Sequence, residues 1–509
     1  MKGLSNQTLW MLYAALNVTF CLALVVGSAV GGGNLAQFPY VALLFAICTS
    51  PLPFIERLNG PFAMLAAAMA AYFVEFGALD AVSMLKPATQ GFLAEAGIGR
   101  TEVVLWVGAL MQIVGFHVAA RLTRDRGPVA PKDWSPGLLV PIGLALWTAA
   151  SLATLYHAFV VQPGTSSASI QAGLAKLGIW RATGLITVEN YAGPLGIMII
   201  AYWWAVRRKR LATPLVLGLC LAQFVIGWIV DTKEVAISAP VIALLTRFIV
   251  LGKVPIRWLV GAVVAIALVF PIMSAKRVVM TEELGMTRAE ALPRTFAILM
   301  RTLEEGDAIK GGKYEQTSET FLQRESVEAN VDLIIKGTAM GHPYKLGSTF
   351  EPLLYVFLPR IIWSDKPGGN SAQTLNREFH ISADPDTFIS PSHLGEWYWN
   401  FGLGGVILGM ALSGALLGYI SVRFDPSVHA SVSRVLVIIV TLYLIVARSE
   451  GQVEIQYALW ARSVALIGLL HLFLARGAPQ RADGLASSGG SSPAAPNGVE
   501  FVRFPNLMR

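Results

Sequence analysis

The sequence predicts an all-α polytopic membrane protein with about twelve transmembrane helices and a large helical extracytoplasmic loop before the last three. Three observations carry that prediction. Of the 509 residues 54% are hydrophobic and 14% charged, with a mean hydropathy of +0.58, where a soluble domain carries nearer a quarter charged residues. Apolar runs long enough to cross a bilayer recur along the chain. Between Pro271 and Phe401 those runs give way to about 125 polar and charged residues.

A spanning helix needs roughly 20 mostly apolar residues. By that ruler the spans are 9–30, 35–54, 61–79, 102–120, 137–161, 191–206, 213–230, 235–251, 258–273, 401–422, 434–447 and 457–475. The short lead before the first run, and that run's length, favour a first span over a cleaved signal peptide. Basic residues fall on alternate loops: Lys2, Arg57, Arg121 with Arg124, Arg126 and Lys132, the run Arg207-Arg-Lys-Arg210, Lys253 with Arg257, Arg423 with Arg434, and Arg476. That side is expected to be the cytoplasm and to hold both termini. The chain then divides into a nine-helix membrane region 1–273, a large outer loop 274–400, three spans within 401–476, and a Gly, Ser, Ala and Pro-rich cytoplasmic tail 477–509 expected to be disordered.

Charge and cysteine usage exclude several classes. The net charge of +7 is not a nucleic-acid footprint, because residues 276–400 carry 13 basic against 17 acidic side chains and the basic excess sits in the cytoplasmic loops. Cys21, Cys48 and Cys220 all lie in apolar runs without metal-ligand or disulfide spacing. Gly31-Gly-Gly33 and Gly402-Leu-Gly-Gly405 precede no lysine in nucleotide-binding register and fit helix packing.

Within the outer loop, 292–303 and 319–335 read as amphipathic helices, and 352–363 is apolar but too short to span, hence re-entrant or interfacial. Outer-face cations form one constellation: Lys233, Lys276, Arg277, Arg360, Lys366 and Arg448. Singly they are explained by snorkelling or local pairing; as a set they point to an anionic ligand such as a phosphate. A second constellation is Ser392-His393-Leu-Gly-Glu396-Trp-Tyr-Trp-Asn400, leading into the span at Phe401. On a helix His393 and Glu396 share a face, where either serves as a general base toward a hydroxyl. Trp397, Tyr398 and Trp399 mark an interfacial belt, and like Trp363 present aromatic faces suited to sugar rings. His342 and His380 read as loop histidines, His117, His157 and His471 as packed within spans, and His429 as cytoplasmic. Glu75 and Glu189 lie near apolar runs without an assigned role.

On four stretches the chain resembles Wzy-type O-antigen polymerases, the oligosaccharide repeat unit polymerases related to O-antigen ligases. They are Asp231-Thr-Lys-Glu234, Pro359-Arg-Ile-Ile-Trp-Ser-Asp-Lys-Pro367, Gly395-Glu-Trp-Tyr-Trp-Asn-Phe-Gly402 and Arg448-Ser-Glu-Gly451. The resemblance implies polymerisation of undecaprenyl-diphosphate-linked oligosaccharides on the periplasmic face of the bacterial inner membrane. The partners it implies are those lipid-linked glycans, membrane lipids, a chain-length regulator and a flippase, with no nucleic acid. Arg360, Lys366, Arg277, Lys233 and Arg448 would stabilise the leaving diphosphate, and Glu396 or His393 would take the hydroxyl proton. No cofactor is expected, and since Gly31 to Asn34 holds no acid, a metal-assisted transfer is disfavoured. A ligase acting on lipid A core and a polysaccharide or lipid transporter stay open as alternatives.

Overall fold

The computed structural model describes residues 6–31, 35–57, 59–85, 99–124, 133–161, 179–207, 211–230, 233–253, 257–261, 327–358, 362–363, 366, 369–382, 387–428 and 431–475. Regular secondary structure among the described residues is entirely helical. The first nine labelled helices are α1 (Asn6–Gly31), α2 (Phe38–Thr49), α3 (Pro61–Phe76), α4 (Ala78–Ser83), α5 (Arg100–Arg124), α6 (Leu139–Tyr156), α7 (Ile179–Arg207), α8 (Ala212–Val230) and α9 (Lys233–Leu251). The large loop contributes α10 (Val327–Ala339), α11 (Glu351–Leu354) and α12 (Ser371–Phe379). The chain then forms α13 (Ser392–Arg423), α14 (Val432–Thr441), which ends in a π-helical turn over Leu442–Val446, and α15 (Val453–Leu474).

Local rules explain many boundaries. Proline stands in the first turn of α2 and α3, where its missing N–H costs nothing. Glu102 opens α5 and Arg121 and Arg124 close it, matching the helix dipole. Helix α7 starts at Ile179, well before the span expected at 191, so part of the expected loop 162–190 is helical.

Six helical stretches are long and apolar enough to cross a membrane: Gln7–Val30, Arg100–Arg124, Leu139–Phe159, Ala212–Val230, Ser392–Arg423 and Val453–Leu474. Five shorter apolar helices, Phe38–Phe54, Pro61–Phe76, Tyr191–Val206, Val235–Leu251 and Val432–Val446, lie where the sequence predicts further spans. The expected span 258–273 lies mostly outside the described residues, as do the amphipathic stretch 292–303, His429 and the tail 477–509. Large apolar side chains face outward on these helices, including Met11, Leu22, Leu122, Leu221, Leu408 and Phe473. Water would penalise that surface and lipid would not, so the chain is a membrane-embedded helical protein.

Small residues let the helices approach closely. Gly115 of α5 faces the Ala411 backbone of α13, and Gly414 and Gly418 face the backbone at Gln112 and Phe116, leaving no room for a Cβ at these contacts. Gly143 and Gly196 do the same for α6 and α7. Helix α10 docks on α5 through Thr101 Oγ1, which donates to Asp332 Oδ1 at 2.7 Å. Trp460 Nε1 donates to Thr441 Oγ1 at 3.0 Å, tying α15 to α14. The expected interfacial piece 352–363 is represented by α11 and the turn after it, with Leu354, Phe357 and Ile362 exposed.

Candidate functional site

The candidate site is built on a reversal inside α13. Phe401 (φ −138°, ψ 17°) and Gly402 (φ 62°, ψ −150°) leave helical geometry, and the region Gly402 occupies is open essentially to glycine alone. In an unbroken helix His393 and Ser413 would stand about 30 Å apart. Here both line one small cavity, and the Trp397 ring lies against Gly409. Residues 392–400 therefore form a re-entrant arm that runs back along the span beginning after Gly402. The sequence predicts that this stretch enters the span directly; the glycines at 405 and 409 make room for the turn instead.

A strap from the large loop holds the tip of the reversal. Lys345 N donates to Trp399 O at 2.9 Å and Leu346 N to Asn400 O at 3.2 Å. Asn400 Oδ1 accepts from Gly347 N at 2.7 Å, while its Nδ2 donates to Thr349 Oγ1 and Glu396 O, both at 2.8 Å. The strap itself turns through left-handed residues at Leu346 (φ 50°) and Gly347 (φ 90°).

On the arm, Glu396 is fully buried and meets Glu454, buried at the start of α15. Glu396 Oε2 accepts from Val453 N at 2.7 Å, and Glu454 Oε1 accepts from Ser371 N at 3.2 Å. The remaining oxygens, Glu396 Oε1 and Glu454 Oε2, receive no N–H or O–H donor among the described residues. Two adjacent buried carboxylates cannot both stay charged, so one shared proton completes the pair. It joins three segments: the arm, α15 and the loop entering α12, where Gly369 packs on Glu454.

His393, three residues earlier, looks elsewhere. Its backbone N donates to Ser449 O at 2.8 Å, its ring tilts against Tyr457 at 5.5 Å, and its Nε2 has no partner among the described residues. It lines a buried cavity with Glu75, Gln112, Ser413 and Ser449. The Ser449 hydroxyl donates to Glu75 Oε2, joining α3 to the loop before α15.

The other candidates fall at varied distances from this centre. Arg448 precedes Ser449, and its guanidinium lies 4.9 Å over the Tyr443 ring. Burial pushes that guanidinium down to about 10, with Glu450 opposing the shift. Lys366 is buried, and its Nζ donates to Tyr355 O and, at 3.1 Å, to Leu358 O, so it closes the turn after α11. Trp363 is partly exposed and sits edge-on to Tyr355 at 4.8 Å, whereas Trp397 is half-buried and Tyr398 and Trp399 are buried in the core. Arg277, Lys276 and Arg360 lie outside the described residues; Lys233 opens α9, but its side chain lies outside them too. His117 bonds Ile113 O and His471 bonds Trp134, as packed histidines should.

Several residues in or beside this centre carried no assignment in the sequence reading: Glu454, Asn400 and Arg462, whose Nε donates to Val356 O at 2.8 Å and Nη1 to Tyr191 Oη at 3.1 Å. An ionisable group inside an apolar run was the available signal for Glu454 and Arg462, as it was for Glu75. Compared with known proteins, the chain matches no family model, no curated protein and no solved structure.

Proposed function

We propose that the chain polymerises lipid-linked oligosaccharide repeat units on the periplasmic face of the bacterial inner membrane, with twelve spans and both termini in the cytoplasm. One observation carries the reading. Stretches far apart in sequence, at 345–349, 369–371, 392–400 and 448–454, converge around a histidine and a carboxyl pair. A glycosyl transfer from a diphosphate carrier needs a base and cations beside it, and Arg448 and Lys366 stand on chain adjoining two of those stretches.

In this reading the acceptor sugar's hydroxyl attacks the anomeric carbon of the growing glycan, and undecaprenyl diphosphate departs. The departing diphosphate gains negative charge, which Arg448, Lys366, Arg360, Arg277 and Lys233 offset. Of the two candidates His393 is the base in this reading, taking the proton at Nδ1, since Glu396 is held by Glu454 and Val453. Glu396 then positions the arm. Trp363 is the aromatic best placed to meet a sugar, being partly exposed.

A second reading draws on the arm itself. Re-entrant helices with buried ionisable groups are also how transporters build substrate and ion sites. Expression in a strain that lacks its own polymerase separates the readings. The polymerase reading expects glycan ladders to return; a ligase restores attachment to lipid A core without lengthening the glycan, and a transporter restores neither.

A further inference from the structure

The small cavity behind His393 has a chemistry of its own. It lies among α3, α5, the re-entrant arm, the span of α13, the π-helical turn after α14 and the loop before α15, and has room for about one water. Three buried polar atoms on its lining residues have no hydrogen-bond partner among the described residues: Glu75 Oε1, Gln112 Oε1 and His393 Nε2. Two are acceptors and the third is an imidazole nitrogen that can donate. By donor and acceptor count one water matches all three, with two hydrogens for the oxygens and a lone pair for Nε2–H.

We propose that this cavity is a hydrated proton site in which bound water connects His393 to Glu75. A proton delivered to Nδ1 of the imidazole is balanced by release of the Nε2 proton to the water, which passes one of its own to Glu75 Oε1. The water is regenerated, the imidazole ends neutral and the carboxylate becomes a carboxylic acid. Its use during turnover rests on His393 acting as base in the proposed polymerase, but the site itself does not. The groups facing Glu75 are few: Tyr72 one turn earlier on α3, His393 from the arm, and Glu450, whose charge acts on it from the loop before α15. Gln112 from α5 and Ser413 from α13 are neutral, and the Arg448 guanidinium is turned to Tyr443. Ser449 fixes the other carboxyl oxygen and so aims Oε1 at the cavity.

Infrared spectroscopy of the full-length protein in lipid nanodiscs tests the site without any activity assay. A carboxylic-acid C=O band that titrates with pH is expected in the wild type, lost in Glu75→Gln and shifted in Gln112→Met, which fills the space without changing a titratable group. A density map fine enough to show water should hold a peak within hydrogen-bonding distance of the three atoms. An empty cavity, or spectra that neither variant alters, overturns the proposal; if Glu75→Gln does not fold, Gln112→Met decides. In a polymerisation assay Glu75→Gln should lower turnover on the order of 100-fold. A titrating band in a protein that makes no polymer leaves the site standing and removes the polymerase reading, whereas polymer formation with a dry cavity does the reverse.

Discussion

Replacing Glu396 in two ways separates support from chemistry. Glutamine has the same shape: its amide can donate to Glu454 in place of the shared proton, and its oxygen can still accept from Val453 N. Glu396→Gln should therefore fold like wild type. Leucine strips both partners, leaving the Val453 N–H and Glu454 Oε2 buried without a mate. Each such orphan costs about 1–3 kcal/mol, so Glu396→Leu should lose about 2–6 kcal/mol. Thermal unfolding in nanodiscs, followed by tryptophan fluorescence, reads the difference, because Trp397 and Trp399 sit on the same arm. Activity adds a second axis: Glu396→Gln should keep polymer formation within about tenfold of wild type, while His393→Gln should lose on the order of 100-fold or more. An unfolding temperature for Glu396→Leu equal to wild type would refute the account of the carboxyl pair. A well-folded but inactive Glu396→Gln beside an active His393→Gln would transfer the base to Glu396.

Gly402→Ala should destabilise the reversal by about 1–3 kcal/mol, since its backbone lies where an L side chain is strained and its Cβ would stand 3.1 Å from the Tyr344 hydroxyl; unchanged unfolding would show that the reversal does not depend on glycine. Buried Asp80 and half-buried Glu328 form a second carboxyl pair, both raised, first by desolvation and further by neighbouring acids, although the hydrogen bond from Glu328 partly offsets the rise at Asp80. The folded state thus binds protons more tightly than the unfolded one, so the stability it supports is present below the ordinary carboxylate pKa and lost as pH rises through the raised values. Asp80→Asn with Glu328→Gln should flatten that loss, and a slope identical to wild type would contradict it. Arg360→Ala and Arg448→Ala should each abolish glycan ladders at normal protein levels, and the purified protein should polymerise in chelator; wild-type ladders from both variants, or strict dependence on a divalent ion, would count against the cationic grip.

Helices were legible where chain length and apolarity alone decide them. The runs beginning at Leu9, Pro61 and Tyr457 are helical because a bilayer leaves an exposed backbone no other way to satisfy its hydrogen bonds. Direction was not legible. Phe401-Gly402 reads as the mouth of a span, and the reversal there depends on Gly405 and Gly409 clearing space for Trp397, a relation no local pattern encodes. Exposure was equally hidden: Trp397, Tyr398 and Trp399 look like an interfacial belt, yet the arm folds inward and buries the last two. Glu75 stood out as an acid in an apolar run, but Ser449, its hydrogen-bond partner, lies 374 residues away. The motif at Arg448 to Gly451 marked the right loop, while Glu454 a few residues on had only its place at the head of an apolar helix to identify it.

The central claim is polymer formation by this chain alone, and a reconstituted reaction tests it most directly. Purified protein in nanodiscs is mixed with undecaprenyl-diphosphate-linked repeat units in the presence of chelator, and the lipid-linked products are resolved by mass. The account predicts a ladder spaced by one repeat unit, still attached to the lipid carrier, that disappears with His393→Gln. Repeat units left at their starting length, in a protein shown to be folded, would contradict it.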